Sequence, residues 1–166
     1  MRTLHLATLA LAVALTGLLP AGSAHAQTSI PPTAFEEVVD RAQSQDTPIL
    51  VEVYASWCPY CERMQEEVYS DPTVKEYLTS NFTYVRMNSD TTGGPTHRFD
   101  GRTVTTGQLA SMFGARGVPT TVFLKPDGTP IAHQPGFIDR STFLTMIRFV
   151  GSGAYEEQSF REFAGR

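Results

Sequence analysis

The stretch Ile49-Leu50-Val51-Glu52-Val53-Tyr54-Ala55-Ser56-Trp57-Cys58-Pro59-Tyr60-Cys61 decides how the chain folds. Its first six residues are almost continuously apolar, and a short run of that kind suits a strand buried on both faces. Asp46-Thr47-Pro48 supplies the turn that leads into it. Pro59 fits the first position of a helix, where its missing N–H costs nothing. Cys61, Met64 and Val68 then recur on one side of that helix. A buried strand running into a helix, with two cysteines at the junction, is therefore predicted.

Working outward, Thr33-Ala34-Phe35-Glu36 reads as a capping box ahead of a helix whose face carries Phe35, Val38, Val39 and Ala42. Beyond the cysteines, Asp71-Pro72 caps a further helix with Val74, Tyr77 and Leu78 inward, and Phe82 to Met87 is a second strand. Residues 90–106 are rich in threonine and glycine and read as a loop, longer than most connections. Its His97, Arg98 and Arg102 are candidates for a positive partner surface; a solvated loop without that role is the alternative. Leu109, Met112 and Phe113 mark a short helix, Thr120 to Leu124 a strand, and Pro126-Asp127-Gly128 a turn into a hairpin partner at Ile131 to His133. Asp139 caps a last helix with Phe143, Leu144, Ile147 and Val150 inward, followed by an amphipathic tail over 155–163. His133 is expected on the surface. A helix between the first two strands makes them parallel, and a tight turn makes the last two antiparallel. The expected class is α/β: a mixed four-stranded sheet with helices on both faces.

The chain has 166 residues, 41% of them apolar, enough for one packed domain. Thirteen basic and seventeen acidic residues give a formal charge of -4, which argues against nucleic acid as a partner. Arg2, the apolar run 4–19 and Ala24-His25-Ala26 form a signal-peptide pattern over 1–26. The run is shorter than the about 20 residues a membrane span needs, although an uncleaved anchor is the rival reading. The mature domain then covers 27–166, with its core at 33–150 and a tail at 151–166. No later stretch is apolar enough to span a bilayer, so a soluble, periplasmic protein is expected, with a monomer as the default state.

Two cysteines exclude a scaffold stapled by several disulfides. A C-x-x-C at a helix start has its own chemistry. The first sulfur faces free N–H groups and the positive end of the helix dipole, which favour thiolate. The second sulfur, one turn on, closes the ring. This predicts Cys58 as nucleophile and Cys61 as resolving thiol in disulfide exchange. A purely structural disulfide remains open, although so short a loop closes little chain entropy. A zinc site would have to recruit His97 and His133 as further ligands, a weak case. Covalent haem needs histidine after the second cysteine, where this chain has Glu62. No metal and no bound cofactor are expected.

The strand, Trp57-Cys58-Pro59-Tyr60-Cys61, the helix, and Gly117-Val118-Pro119-Thr120 further on together resemble thioredoxin over roughly residues 33–150. More narrowly, Phe99-Asp100-Gly101, Leu109-Ala110, Pro126-Asp127-Gly128 and Pro135-Gly136-Phe137 resemble secreted thioredoxin-like proteins, some of them associated with periplasmic sulfur oxidation. The resemblance implies a thioredoxin fold and a redox-active Cys58–Cys61 disulfide. It implies that Pro119 is the family's cis-proline and that the backbone of Val118 pairs with an extended substrate. Trp57, Pro59 and Tyr60 complete the substrate face; ordinary core packing is the alternative for Trp57. Glu52, six residues before Cys58, matches the family's buried acid and would accept the proton that Cys61 loses. A salt-bridged or edge-facing glutamate is the alternative there.

The chain departs from the family in two places. Pro59-Tyr60 is more like the glutaredoxin dipeptide, which leaves the reduction potential open, and Glu62 stands where thioredoxin has lysine. The function these residues imply is an extracytoplasmic thiol:disulfide oxidoreductase that reduces disulfides in exported proteins and is recharged by a membrane thiol-disulfide carrier. A disulfide-forming oxidant and a redox-inactive peptide-binding module are the alternatives.

Overall fold

A computed structural model describes residues 35–90 and 94–165. The expected signal peptide and the Thr33 end of the first capping box lie outside the described residues. Strand β1 (Ile49–Tyr54) sits inside a four-stranded sheet of order β2-β1-β5-β6, with β2 at Thr83–Asn88, β5 at Thr120–Leu124 and β6 at Pro130–Pro135. β1 runs parallel to β2 and antiparallel to β5, and β5 is antiparallel to β6, as the order of elements predicts. Across β1 the register sets Arg86 of β2 and Thr121 of β5 on either side of Glu52.

The unbroken apolar pattern of β1 follows from burial on both faces. Ile49, Val51 and Val53 enter one core layer with helix α1 (Phe35–Gln45) and helix α4 (Thr106–Met112). Leu50 enters the other layer with helix α2 (Pro59–Met64), helix α3 (Pro72–Asn81) and helix α5 (Arg140–Gly151). Asp71 caps α3 and Asp139 caps α5, each carboxylate accepting two backbone N–H groups of the first turn. α2 continues into a π-helical turn over Gln65–Tyr69. A wider turn changes which side chains face inward, and here Val68 and Tyr69, adjacent in sequence, are both buried. At the other end a short helix α6 (Phe160–Ala164) packs Phe160 and Phe163 against Phe149 of α5, with ring centroids 5.5 and 5.3 Å apart. Among the described residues no helix is long and apolar enough to cross a membrane.

The segment 90–106 corrects the loop reading. It contains strands β3 (Thr96–Phe99) and β4 (Arg102–Thr105), an antiparallel hairpin turning at Asp100 and Gly101, both with positive φ. Its threonines are strand-forming residues, and Asp-Gly is a hairpin turn signature. Phe99 of β3 packs edge-on to Phe35 and Phe113, at 5.7 and 5.2 Å. His97 does not belong to a positive surface. It is 5% exposed, its Nε2 lies 3.0 Å from Thr106 Oγ1, and burial pushes its imidazole toward the neutral form. Arg98 and Arg102 are exposed, with Arg98 3.6 Å from Glu36.

Candidate active site

Cys58 is the N-cap of α2, with extended backbone, and Pro59 takes the first helical position. The two cysteines are joined as a disulfide with a Cα–Cα separation of 5.3 Å. The backbone N–H of Cys61 donates to Cys58 Sγ at 3.2 Å. The first sulfur therefore occupies the place that a serine or aspartate fills at an ordinary helix start. After reduction, that N–H and the helix dipole favour negative charge on Cys58. Cys58 is 6% exposed and Cys61 2%, so the second sulfur is the more deeply enclosed.

Ala55, Cys58 and Cys61 form a small apolar cluster against which Tyr54 and Val118 pack. Val118, far off in sequence, is thereby brought against the cysteines, and the Val118–Pro119 peptide bond is cis. The Pro119 carbonyl accepts a hydrogen bond from Gly136 N–H at 2.8 Å. Trp57 and Tyr60 flank the pair at 68% and 55% exposure, so Trp57 is not core packing. Both large aromatic rings therefore stand in solvent beside the disulfide. Next to them the Arg63 guanidinium lies 4.4 Å from the Phe137 ring and 5.8 Å from the Tyr60 ring, and donates to both oxygens of Glu67. Arg63 and Phe137 are absent from the sequence-derived site, because they meet only when the β6–α5 connection folds over α2.

Glu52 is 2% exposed, and the salt-bridged alternative describes its setting. Arg86 Nε donates to its Oε2 at 2.8 Å and Arg86 Nη2 to its Oε1 at 3.0 Å. The Tyr84 hydroxyl also donates to Oε2. The Arg86 guanidinium stacks on the Tyr54 ring at 4.2 Å, and Tyr54 packs against the cysteine cluster. Tyr84 in turn stacks on Tyr69, with centroids 5.7 Å apart, and the Tyr69 hydroxyl lies 3.2 Å from Thr121 Oγ1. Burial, followed by the charge of Glu52, pushes both phenols well above the ordinary tyrosine range, so both remain protonated. Tyr84 and Arg86 went unread in the sequence, although their two-residue spacing in Thr83-Tyr84-Val85-Arg86 puts two polar tips on one face of β2.

Residues 35–151 match the family described as thioredoxin-like domain. The chain belongs to this family. It is 27% identical over 136 residues to the thiol:disulfide interchange protein DsbD of Yersinia enterocolitica, covering 76% of this chain and 22% of that protein. The chain thus spans under a quarter of that relative's length. Among solved structures, a thioredoxin from Thermus thermophilus is 28% identical with a TM-score of 0.56, covering 74% of this chain and 87% of the other. A thioredoxin-fold protein from Helicobacter pylori superposes with a TM-score of 0.60 at 20% identity, covering 73% and 80%, a likeness of fold. This thioredoxin-like chain thus carries its two cysteines at a strand-to-helix junction in a four-stranded mixed sheet.

Proposed function

We propose that the protein is a thiol:disulfide oxidoreductase working outside the cytoplasm. The observation that carries the reading is the cysteine pair at the start of α2, with Cys61 N–H on Cys58 Sγ and Val118 packed against the cluster that Ala55 and the two cysteines form. In the proposed cycle the Cys58 thiolate attacks one sulfur of a partner disulfide. A Cys58–partner bond forms, the partner's S–S bond breaks, and the departing partner sulfur takes up a proton. Cys61 then gives its proton to Glu52 and attacks the Cys58 sulfur. The Cys58–Cys61 disulfide forms and the second partner sulfur leaves, so two electrons pass to the partner and the pair ends oxidised.

Trp57, Pro59, Tyr60, Val118 and Pro119 form the surface on which an extended partner segment lies, the backbone of Val118 pairing with it. Disulfides of exported proteins are the substrate, and a membrane thiol-disulfide carrier restores the dithiol. The likeness to an interchange protein and the signal-peptide pattern at 1–26 support that placement. The test is a Cys61→Ser protein incubated with an oxidised exported protein. It should accumulate Cys58-linked mixed disulfides, while Cys58→Ser gives none. Equal trapping by both variants would reject the assignment. The reduction potential of the pair against glutathione then fixes the direction. A value near the about -270 mV of thioredoxin supports a reductase, and one near about -120 mV an oxidant.

A further inference from the structure

We infer that Tyr84 is a positioning residue for the resolution step, its phenol holding the Glu52 carboxylate in the orientation from which it serves Cys61. The inference rests on the proposed role of Glu52 as proton acceptor. Register alone puts Arg86 beside Glu52, directly across from it on β2. Tyr84 reaches the carboxylate diagonally, from the position opposite Leu50. A diagonal contact leaves the side chain freer to turn unless something holds its ring, and Tyr69 does, stacked at 26° between ring planes.

Tyr69 ends the π-helical turn that continues the helix bearing Cys61. The wide turn drives its ring under the sheet, where its hydroxyl meets Thr121 on the opposite flank of Glu52. One continuous helical segment therefore carries the resolving thiol at one end and, at the other, the ring that fixes the donor to the carboxylate. Arg86 and Tyr84 from β2 donate to Glu52, with Tyr69 of the π-turn stacked behind Tyr84 and Tyr54 of the carboxylate's own strand beneath Arg86. Arg86 occupies both carboxylate oxygens, and Tyr84 adds a neutral donor to Oε2 alone, which distinguishes the two oxygens. Proton transfer from a thiol depends on which lone pair is presented to it.

The experiment measures two half-reactions separately: attack of Cys58 on a disulfide peptide, and resolution of the preformed Cys58 mixed disulfide across pH. Tyr84→Phe keeps the ring stack and removes the donor. It should slow resolution about tenfold, as expected for a lost hydrogen bond to a charged group. It should also change the pH profile of that step and leave the attack rate unchanged. Glu52→Gln should slow resolution at least as much and abolish that profile. Tyr69→Phe, which loses the Thr121 contact but no donor to Glu52, should leave the resolution rate and profile intact. Thermal unfolding recorded beside the rates separates folding loss from rate loss. Slow Glu52→Gln with unchanged Tyr84→Phe overturns the role of Tyr84 and spares that of Glu52. Unchanged Glu52→Gln overturns both. Equal slowing by Tyr69→Phe and Tyr84→Phe reduces the effect to general loosening and overturns the positioning role.

Discussion

Gly136 N–H donates to the Pro119 carbonyl at 2.8 Å, and the next two residues fasten the same connection to the cysteine helix. The Phe137 ring lies under the Arg63 guanidinium, and Ile138 N–H donates to Met64 Sδ at 3.3 Å. Three consecutive residues after β6 thus tie the segment containing Pro119 to α2. The sulfurs and the surface beside them are held as one piece rather than as two neighbouring loops.

Gly136 has φ +86 with open space around the position of an added Cβ. Gly136→Val is therefore strained through backbone conformation rather than through a clash, by about 1–2 kcal/mol. The strain falls on the residue that holds the Pro119 carbonyl. We expect kcat/KM for a protein disulfide to fall several-fold, and that for a small soluble disulfide, which needs no extended groove, to change little. Parallel assays with the two substrates check this, and an equal drop for both would argue against the groove.

The Cys61 N–H on Cys58 Sγ predicts which thiol reacts first. In the reduced protein at neutral pH, iodoacetamide should modify Cys58 about tenfold faster than Cys61, since thiolate at a helix start is favoured and Cys61 is enclosed. Mass spectrometry of peptides after short exposures gives the ratio. Comparable rates at both sulfurs would contradict the proposed division of labour.

The Glu52–Arg86 pair predicts an asymmetric double-mutant cycle. Arg86→Met leaves an enclosed carboxylate without its cation and should cost about 2–3 kcal/mol, below the range for a fully dry pair because the arginine side chain is 33% exposed. Adding Glu52→Gln should recover about half of that loss, because the unpaired charge is then gone. Urea unfolding of the two single variants and the double variant measures the coupling. Simple additivity would show that the pair contributes nothing beyond its separate side chains.

These sites differ in how readable they were, for physical reasons. The strand and cysteine helix were legible because their signals are local: an apolar run, a proline at the first helical position, and two cysteines one turn apart. The hairpin 96–105 was not, because a strand covered on one face by a few aromatics keeps the threonines and glycine of a loop. Glu52 stood out as a charge in an apolar run. Its partners were hidden because the pairing depends on parallel register between β1 and β2, which the sequence does not print. Arg63 and Phe137 meet across two connections and leave no periodic trace at all.

His97 makes the hairpin sensitive to acid. Its Nε2 lies against Thr106 Oγ1, its Nδ1 is buried without a hydrogen-bond partner among the described residues, and burial lowers its imidazole from the ordinary value of 6.5. The folded protein thus resists a proton that the unfolded chain accepts. Where the unfolded state binds more protons, stability rises with pH. The contribution is complete above about 6.5 and is lost as the pH falls below it. Unfolding free energies measured from pH 7.5 to 5 should therefore decline more steeply for the parent than for His97→Gln, which has no imidazole to protonate. Subtracting the two curves removes the carboxylates common to both, including Asp71, which a hydrogen bond from Arg140 holds ionised to lower pH, and Asp139, which those from Ser141 and Thr142 hold likewise. Parallel curves over this range would show that the hairpin opens readily enough to hydrate His97. A difference that grows toward pH 5 shows that the folded hairpin keeps the His97 imidazole neutral where the unfolded chain takes up the proton.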